Sequence, residues 1–230
     1  VELSEVYVWD VVSPYTGTTS SNYLSQFQTY RTSFNGDLGH LLGYGGGGGI
    51  AAGFSGICAS NINSSKCYSG INSSYSNFPT YSWSVMVVTH EQGHLMGSRH
   101  THACVWNGNN TAIDGCGPAA GYGYEGSCSG APIPSGGGTI MSYCHLNSVG
   151  INLSLGFGSQ PQAVIINKYN SGACLTACIG MACMPPPGMN TTTVTNTSAV
   201  FNWTAAVSAS SYVLRYRVVG TSTWTTATAT

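Results

Sequence analysis

Charge is what this chain has least of. Only 6% of its 230 residues are Asp, Glu, Lys or Arg, against about 25% in an ordinary soluble protein. Six Lys and Arg against seven Asp and Glu leave a net charge of −1, with no basic run anywhere. Binding nucleic acid through its phosphates needs a Lys/Arg stripe, so that function is excluded. Long apolar runs are missing too. The strongest, residues 85–88, falls far short of the ~20 residues of a membrane-spanning helix, which excludes membrane insertion. There is no initiator Met and no leader segment, so the sequence is expected to be a processed or excised piece of a longer one.

Apolar residues, by contrast, make up 42%, enough for a packed core. Nine cysteines point to an oxidising compartment, hence to a secreted, extracellular protein stapled by disulfides. None of them falls into a Cys-x-x-Cys pair, so they are not read as metal ligands.

Along the chain, alternation over residues 1–12 predicts a strand ended by Ser13-Pro14. Ser20 and Ser21 are placed to cap a helix carrying Tyr23, Leu24, Phe27 and Tyr30, closed by Asn35-Gly36. Five consecutive glycines, 45–49, then lead into a strand of small side chains over 50–57. No Lys-Ser/Thr follows the glycines, so a phosphate-binding loop is rejected. Residues 59–80 read as an Asn/Ser-rich loop. Residues 81–96 contain no proline and place Trp83, Met86, Val87, His90, His94 and Leu95 at helical spacing. A Gly- and Cys-rich irregular stretch runs to about 159, and a second such helix is expected over 160–169, with Pro161 in its first turn. Beyond the prolines of 185–187 the chain turns to alternating Thr, Val and Ala, the pattern of short strands in a β-sandwich.

The chemistry is concentrated in His90-Glu91-Gln92-Gly93-His94. On a helix, two imidazoles four residues apart share a face and reach one ion, with Glu91 beside them to hold a water. Gly97 turns the chain back, and His100 arrives as a third nitrogen ligand. Three protein ligands leave the fourth position to water, as in catalytic rather than structural zinc sites. Zinc brings the pKa of that water toward ~7 and a carboxylate takes its proton. His102 competes with His100 as third ligand; its distance from Gly97 fits less well. His40 and His145 are read as structural or cleft-lining. Further on, Thr139-Ile140-Met141-Ser142-Tyr143 has the form of a methionine turn.

These motifs resemble those of the metzincin zinc endopeptidases. The stretch Asp37-Leu38-Gly39-His40-Leu41-Leu42, followed by Gly49-Ile50-Ala51 and Gly56-Ile57-Cys58, is similar to the one preceding the zinc helix in reprolysins (adamalysins). The resemblance covers residues 1–178. It implies an α/β (α+β) fold: a catalytic domain with a twisted mixed sheet, a long zinc helix and a cleft with zinc at its floor. The ligands would be His90, His94 and His100, the general base Glu91, and the residue beneath the zinc Met141. Gly49, Ile50 and Ala51 would form the edge strand along which an extended protein or peptide substrate lies, a form of β-augmentation. Peptide hydrolysis through a zinc-bound water by a monomer is the implied activity. Asp37 matches a calcium-binding Asp of some reprolysins, beside its plainer reading as a turn-capping residue. Cys58 would pair with Cys174 or Cys178, with Cys183 left over.

The chain departs from reprolysins in three respects. Thr101 follows the third histidine, where they carry Asp. The methionine turn lacks their Cys-Ile-Met and has Tyr143 two places after Met141, as in astacins and serralysins. Tyr143 is therefore read either as an oxyanion-side residue or as a plain buried Tyr. The first strand and helix of the domain are expected to lie before Val1. After a Pro-rich linker, 179–189, residues 190–230 resemble the first half of a fibronectin type III module, with Trp203, Tyr212 and Tyr216 on its strands. That pairing leaves one competing class, an adhesion protein in which a protease-like fold only displays surfaces. Loss of Glu91 or of a ligand would mark it, and all four residues are present.

Overall fold

The structure, a computed structural model, describes residues 3–9, 12–175, 188–195, 197–205, 211–218, 221 and 223–229. It divides into two compact units, Pro14–Leu175 and a second made of Val1–Ser13 with Thr176–Thr230.

In the first unit, helix α1 (Ser20–Tyr30) is capped by Thr19, one residue before the expected Ser20, and the Thr19 side chain accepts from the Asn22 N–H. Its Leu24 and Phe27 are buried. Three strands, β1 (Gly39–Gly43), β2 (Gly49–Ala51) and β3 (Lys66–Gly70), form a mixed sheet in the order β1-β3-β2. β1 runs parallel to β3, from Gly39↔Lys66 to Gly43↔Gly70, and β2 runs antiparallel to it, from Gly49↔Ser69 to Ala51↔Cys67.

The central strand lies inside the stretch read as loop, which corrects that expectation. Side chains alternate across a strand, and here both faces are covered. Tyr68 stacks on Tyr23 of α1 at 4.7 Å, while Ser69 on the other side donates to the Val87 carbonyl at 3.3 Å. All five residues of β3 are buried, yet Lys66 and Ser69 are polar, so no apolar pattern marks the strand. Lys66 can be buried because its ammonium donates to the Arg31 carbonyl at 2.5 Å, Asn63 Oδ1 at 2.8 Å and the Gln28 carbonyl at 3.4 Å, closing the end of α1.

Helix α2 (Trp83–Leu95) falls within the expected 81–96. The strand expected over 50–57 stops at Ala51; beyond it the Gly56 and Ile57 N–H groups donate to the Leu95 carbonyl at 2.8 and 3.2 Å, tucking the chain under the end of α2. A short helix α3 (Cys116–Ala119) and helix α4 (Ser159–Asn170) complete the unit, with Pro161 buried in the first turn of α4. The core gathers Met86, Cys116, Ile140, Met141, Cys144, Ile151 and Leu153. Disulfides join Cys58 to Cys174, Cys104 to Cys128 and Cys116 to Cys144. Among the described residues the free cysteine is the buried Cys67; Cys178 and Cys183 lie outside them, as does most of the expected linker.

In the second unit, residues 3–9 carry no strand, against the expectation for 1–12, and Leu3, Val6 and Val8 are exposed. Two antiparallel ladders follow: β4 (Asn190–Thr192) with β5 (Val200–Asn202), and β6 (Tyr212–Tyr216) with β7 (Thr225–Ala229). Trp203 and Tyr212 meet edge to face at 5.2 Å. None of the residues described in this unit for exposure is fully buried.

Candidate metal centre

α2 delivers His90 and His94 on one face, both 6% exposed. Gly97 adopts φ +98°, a left-handed turn that costs glycine little, and the chain comes back to place His100 beside them. The Nε2 atom of His94 lies 3.1 Å from that of His90 and 3.0 Å from that of His100. Each Nδ1 faces an oxygen that can only accept: the Ile140 carbonyl at 2.7 Å from His90, the Ser98 carbonyl at 2.8 Å from His94, and Glu125 Oε1 at 2.5 Å from His100. Nδ1 is thus the protonated nitrogen, and in the neutral rings Nε2 is a bare lone pair. Three lone pairs converging at such distances repel one another, and a cation between them resolves the conflict. The three side chains can hold a metal ion.

Beside them sits Glu91, 5% exposed. Burial pushes its carboxyl up to about 8 in the metal-free protein. Its position depends on the edge strand: a Cβ on Gly49 would come within 2.3 Å of Glu91 Oε1, so only glycine lets β2 approach this closely. Ile50 and Ala51 continue that edge. Against Gly93 of α2, Met141 is fully buried, and a Cβ on Gly93 would come within 2.7 Å of its sulfur and 2.8 Å of the Phe157 ring. Thr101, the departure from the reprolysin pattern, ties the two segments together. Its N–H and hydroxyl both donate to the Met141 carbonyl, at 3.1 and 3.4 Å.

Tyr143 stands over the third histidine, its ring centroid 4.6 Å from that of His100 and 6.3 Å from that of His90. Burial, helped by the charges of Glu125 and Glu91, pushes its phenol up to about 12. His102 does not join the three. It stacks on the outer face of His100 at 4.9 Å with planes 9° apart. His40 lies on β1, its Nε2 2.9 Å from Ser69 Oγ, and His145 packs against Trp83 at 5.6 Å. Asp37 is exposed, lies against Cys174 Sγ at 3.7 Å, and joins no metal-capable cluster among the described residues. After Tyr143, Leu146 and Leu155 are exposed while Leu153 belongs to the core.

Glu125 is the residue that the sequence did not reveal. It is one of seven acidic residues in the chain, and that scarcity is the only signal that could have drawn attention to it. Asp114, Cys116 and Cys144 also cluster, but the two cysteines are spent on a disulfide.

A model of metallo-peptidase family M12, Reprolysin_5, matches residues 1–151, a span that contains the three histidines, Glu91, Met141 and Tyr143. No curated protein and no solved structure matches the chain.

Proposed function

The chain belongs to metallo-peptidase family M12, and from that premise we propose that it is a secreted zinc endopeptidase cleaving extended protein segments. The observation that carries the proposal is the convergence of three Nε2 lone pairs beside a buried carboxylate and an open strand edge. His90, His94 and His100 would hold the zinc, which when bound supplies Lewis acidity toward water and the scissile carbonyl. Glu91 takes the proton of the attacking water and passes it to the leaving amine as the C–N bond breaks. A carboxylate beside the ion, within reach of both the water and the scissile nitrogen, is suited to both transfers. Tyr143 keeps its phenolic proton at neutral pH and donates a hydrogen bond to the carbonyl oxygen as negative charge builds there. Met141 supports the helix face beneath the histidines.

The edge of β2 orients the substrate. The Gly70 N–H donates to the Gly48 carbonyl at 2.7 Å and the Ala52 N–H to the Lys66 carbonyl at 3.0 Å. In an antiparallel ladder the facing groups alternate, so Gly49 and Ala51 turn their N–H and C=O outward, where an extended peptide can pair with them. Secretion is supported by the three disulfides, which persist in oxidising surroundings. Among the described residues no helix is long and apolar enough to cross a membrane. We assign catalysis to residues 1–178, with 190–230 as a fibronectin-like appendage.

The test pairs zinc content with hydrolysis of an unfolded protein, on the parent and on Glu91→Ala. The parent should hold about one zinc and cleave. The variant should keep the metal and lose about 10²–10⁴-fold in rate. Zinc binding without cleavage in the parent would leave a structural metal and overturn the proposal.

A further inference from the structure

The three histidines are not held alike. His90 and His94 ride on α2, buried, with backbone carbonyls behind their Nδ1 atoms. His100 lies outside any helix, follows the exposed Arg99, and has a side chain 13% exposed. Its backbone carbonyl is anchored by the Trp106 indole N–H at 2.8 Å, but that bond leaves the ring free to turn. His102 and Tyr143 pack against the ring, and what meets its Nδ1 is a side-chain carboxylate, Glu125, 25 residues further along.

Glu125 is itself held from two sides. Its backbone pairs with the chain just past His100: the Cys104 N–H donates to the Glu125 carbonyl at 2.9 Å and the Glu125 N–H to the His102 carbonyl at 3.3 Å, around the isolated bridge Ala103↔Glu125. The Cys104–Cys128 disulfide closes the same loop. At the carboxylate, His102 Nε2 lies 3.7 Å from the oxygen that meets His100. We propose that Glu125 is the positioning residue of the third histidine, delivered by the 102–104 bridge and the Cys104–Cys128 disulfide so that the His100 ring presents Nε2 to the metal. A carboxylate behind a metal-bound imidazole fixes its tautomer and raises its basicity. A contact as exposed as this one, with Glu125 36% accessible, adds little to folding by itself. Its effect should therefore fall on metal affinity.

The inference rests on His90, His94 and His100 being zinc ligands, and the experiment separates the two. Zinc affinity is measured by chelator competition on the full chain with disulfides intact, for the parent, Glu125→Gln and Glu125→Ala. The Ala variant should bind zinc about 10–100-fold more weakly. The Gln variant, isosteric and still offering an acceptor oxygen, should fall between it and the parent. Thermal unfolding of the metal-free proteins should coincide, while the zinc-loaded midpoints separate. Parent-like affinity in the Ala variant, or an equal fall in stability with and without zinc, would overturn the role of Glu125 alone. A parent that binds no zinc would overturn the ligand assignment beneath it.

Discussion

Tyr143 illustrates how one side chain can stand between packing and chemistry. Its ring touches His100, His102, Tyr122 and His145, which would be reason enough for an aromatic residue there. The hydroxyl adds something packing does not need. Tyr143→Phe preserves the ring and deletes the donor, so an oxyanion role gives a kcat lowered by about 10²-fold with KM nearly unchanged. Steady-state kinetics on a peptide substrate checks this, and an unchanged kcat would reduce Tyr143 to a packing residue. The glycines facing the site belong to the same scale. Gly49 and Gly93 are fixed by what their missing Cβ would strike, Glu91 and Met141. Neither constraint can be read from the residue's own neighbours in the sequence, since both partners come from elsewhere in the fold.

At the scale of elements, β2 has one side committed to β3 and the other open. Ala51→Pro removes an outward N–H and spares the ladder bonds of Gly48 and Ala52, and proline is tolerated on an edge of this kind. One lost backbone hydrogen bond to substrate is about 0.5–1.5 kcal/mol. The expected result is kcat/KM lowered by about 2–13-fold for an extended peptide, with zinc content unchanged. Parent-like kinetics would show that substrate does not pair with this edge. Elements also mark where the sequence was legible. α2 and α4 lie within a few residues of their expected bounds, and α1 starts within a residue of its expected cap but ends at Tyr30, short of Asn35-Gly36; apolar spacing in α1 and α2 and a first-turn proline in α4 are local signals. The three histidines were legible for the same reason, lying within eleven residues on one helix and its turn. β3 was not, because a strand covered on both faces and lined with Lys, Ser and Gly shows no alternation of polarity. Glu125 was not, because a disulfide and a backbone bridge, rather than sequence spacing, bring it to His100.

For the molecule as a whole, histidines held below their ordinary pKa by burial are a source of acid sensitivity. Burial holds His40 at about 4, below its ordinary value of 6.5. Its Nδ1 is 3.5 Å from the Gln92 amide nitrogen and its Nε2 meets Ser69, an arrangement suited to the neutral ring. As pH falls, the unfolded chain takes up the proton first. The stability linked to His40 is therefore complete above about pH 6.5 and is lost toward pH 4, at up to about 1.4 kcal/mol per pH unit. Chemical denaturation in EDTA should show a slope shallower by one proton in His40→Gln than in the parent over that window. Equal slopes would mean that His40 titrates alike in both states. The chain's economy of charge bears on how the protein fares among other proteases. Enzymes that cut after Lys or Arg find six such residues in the whole chain. One of them, Lys66, is sealed in the central strand with its ammonium wrapped in oxygen atoms. A degradative enzyme of basic specificity would have to open the sheet before it could reach that bond.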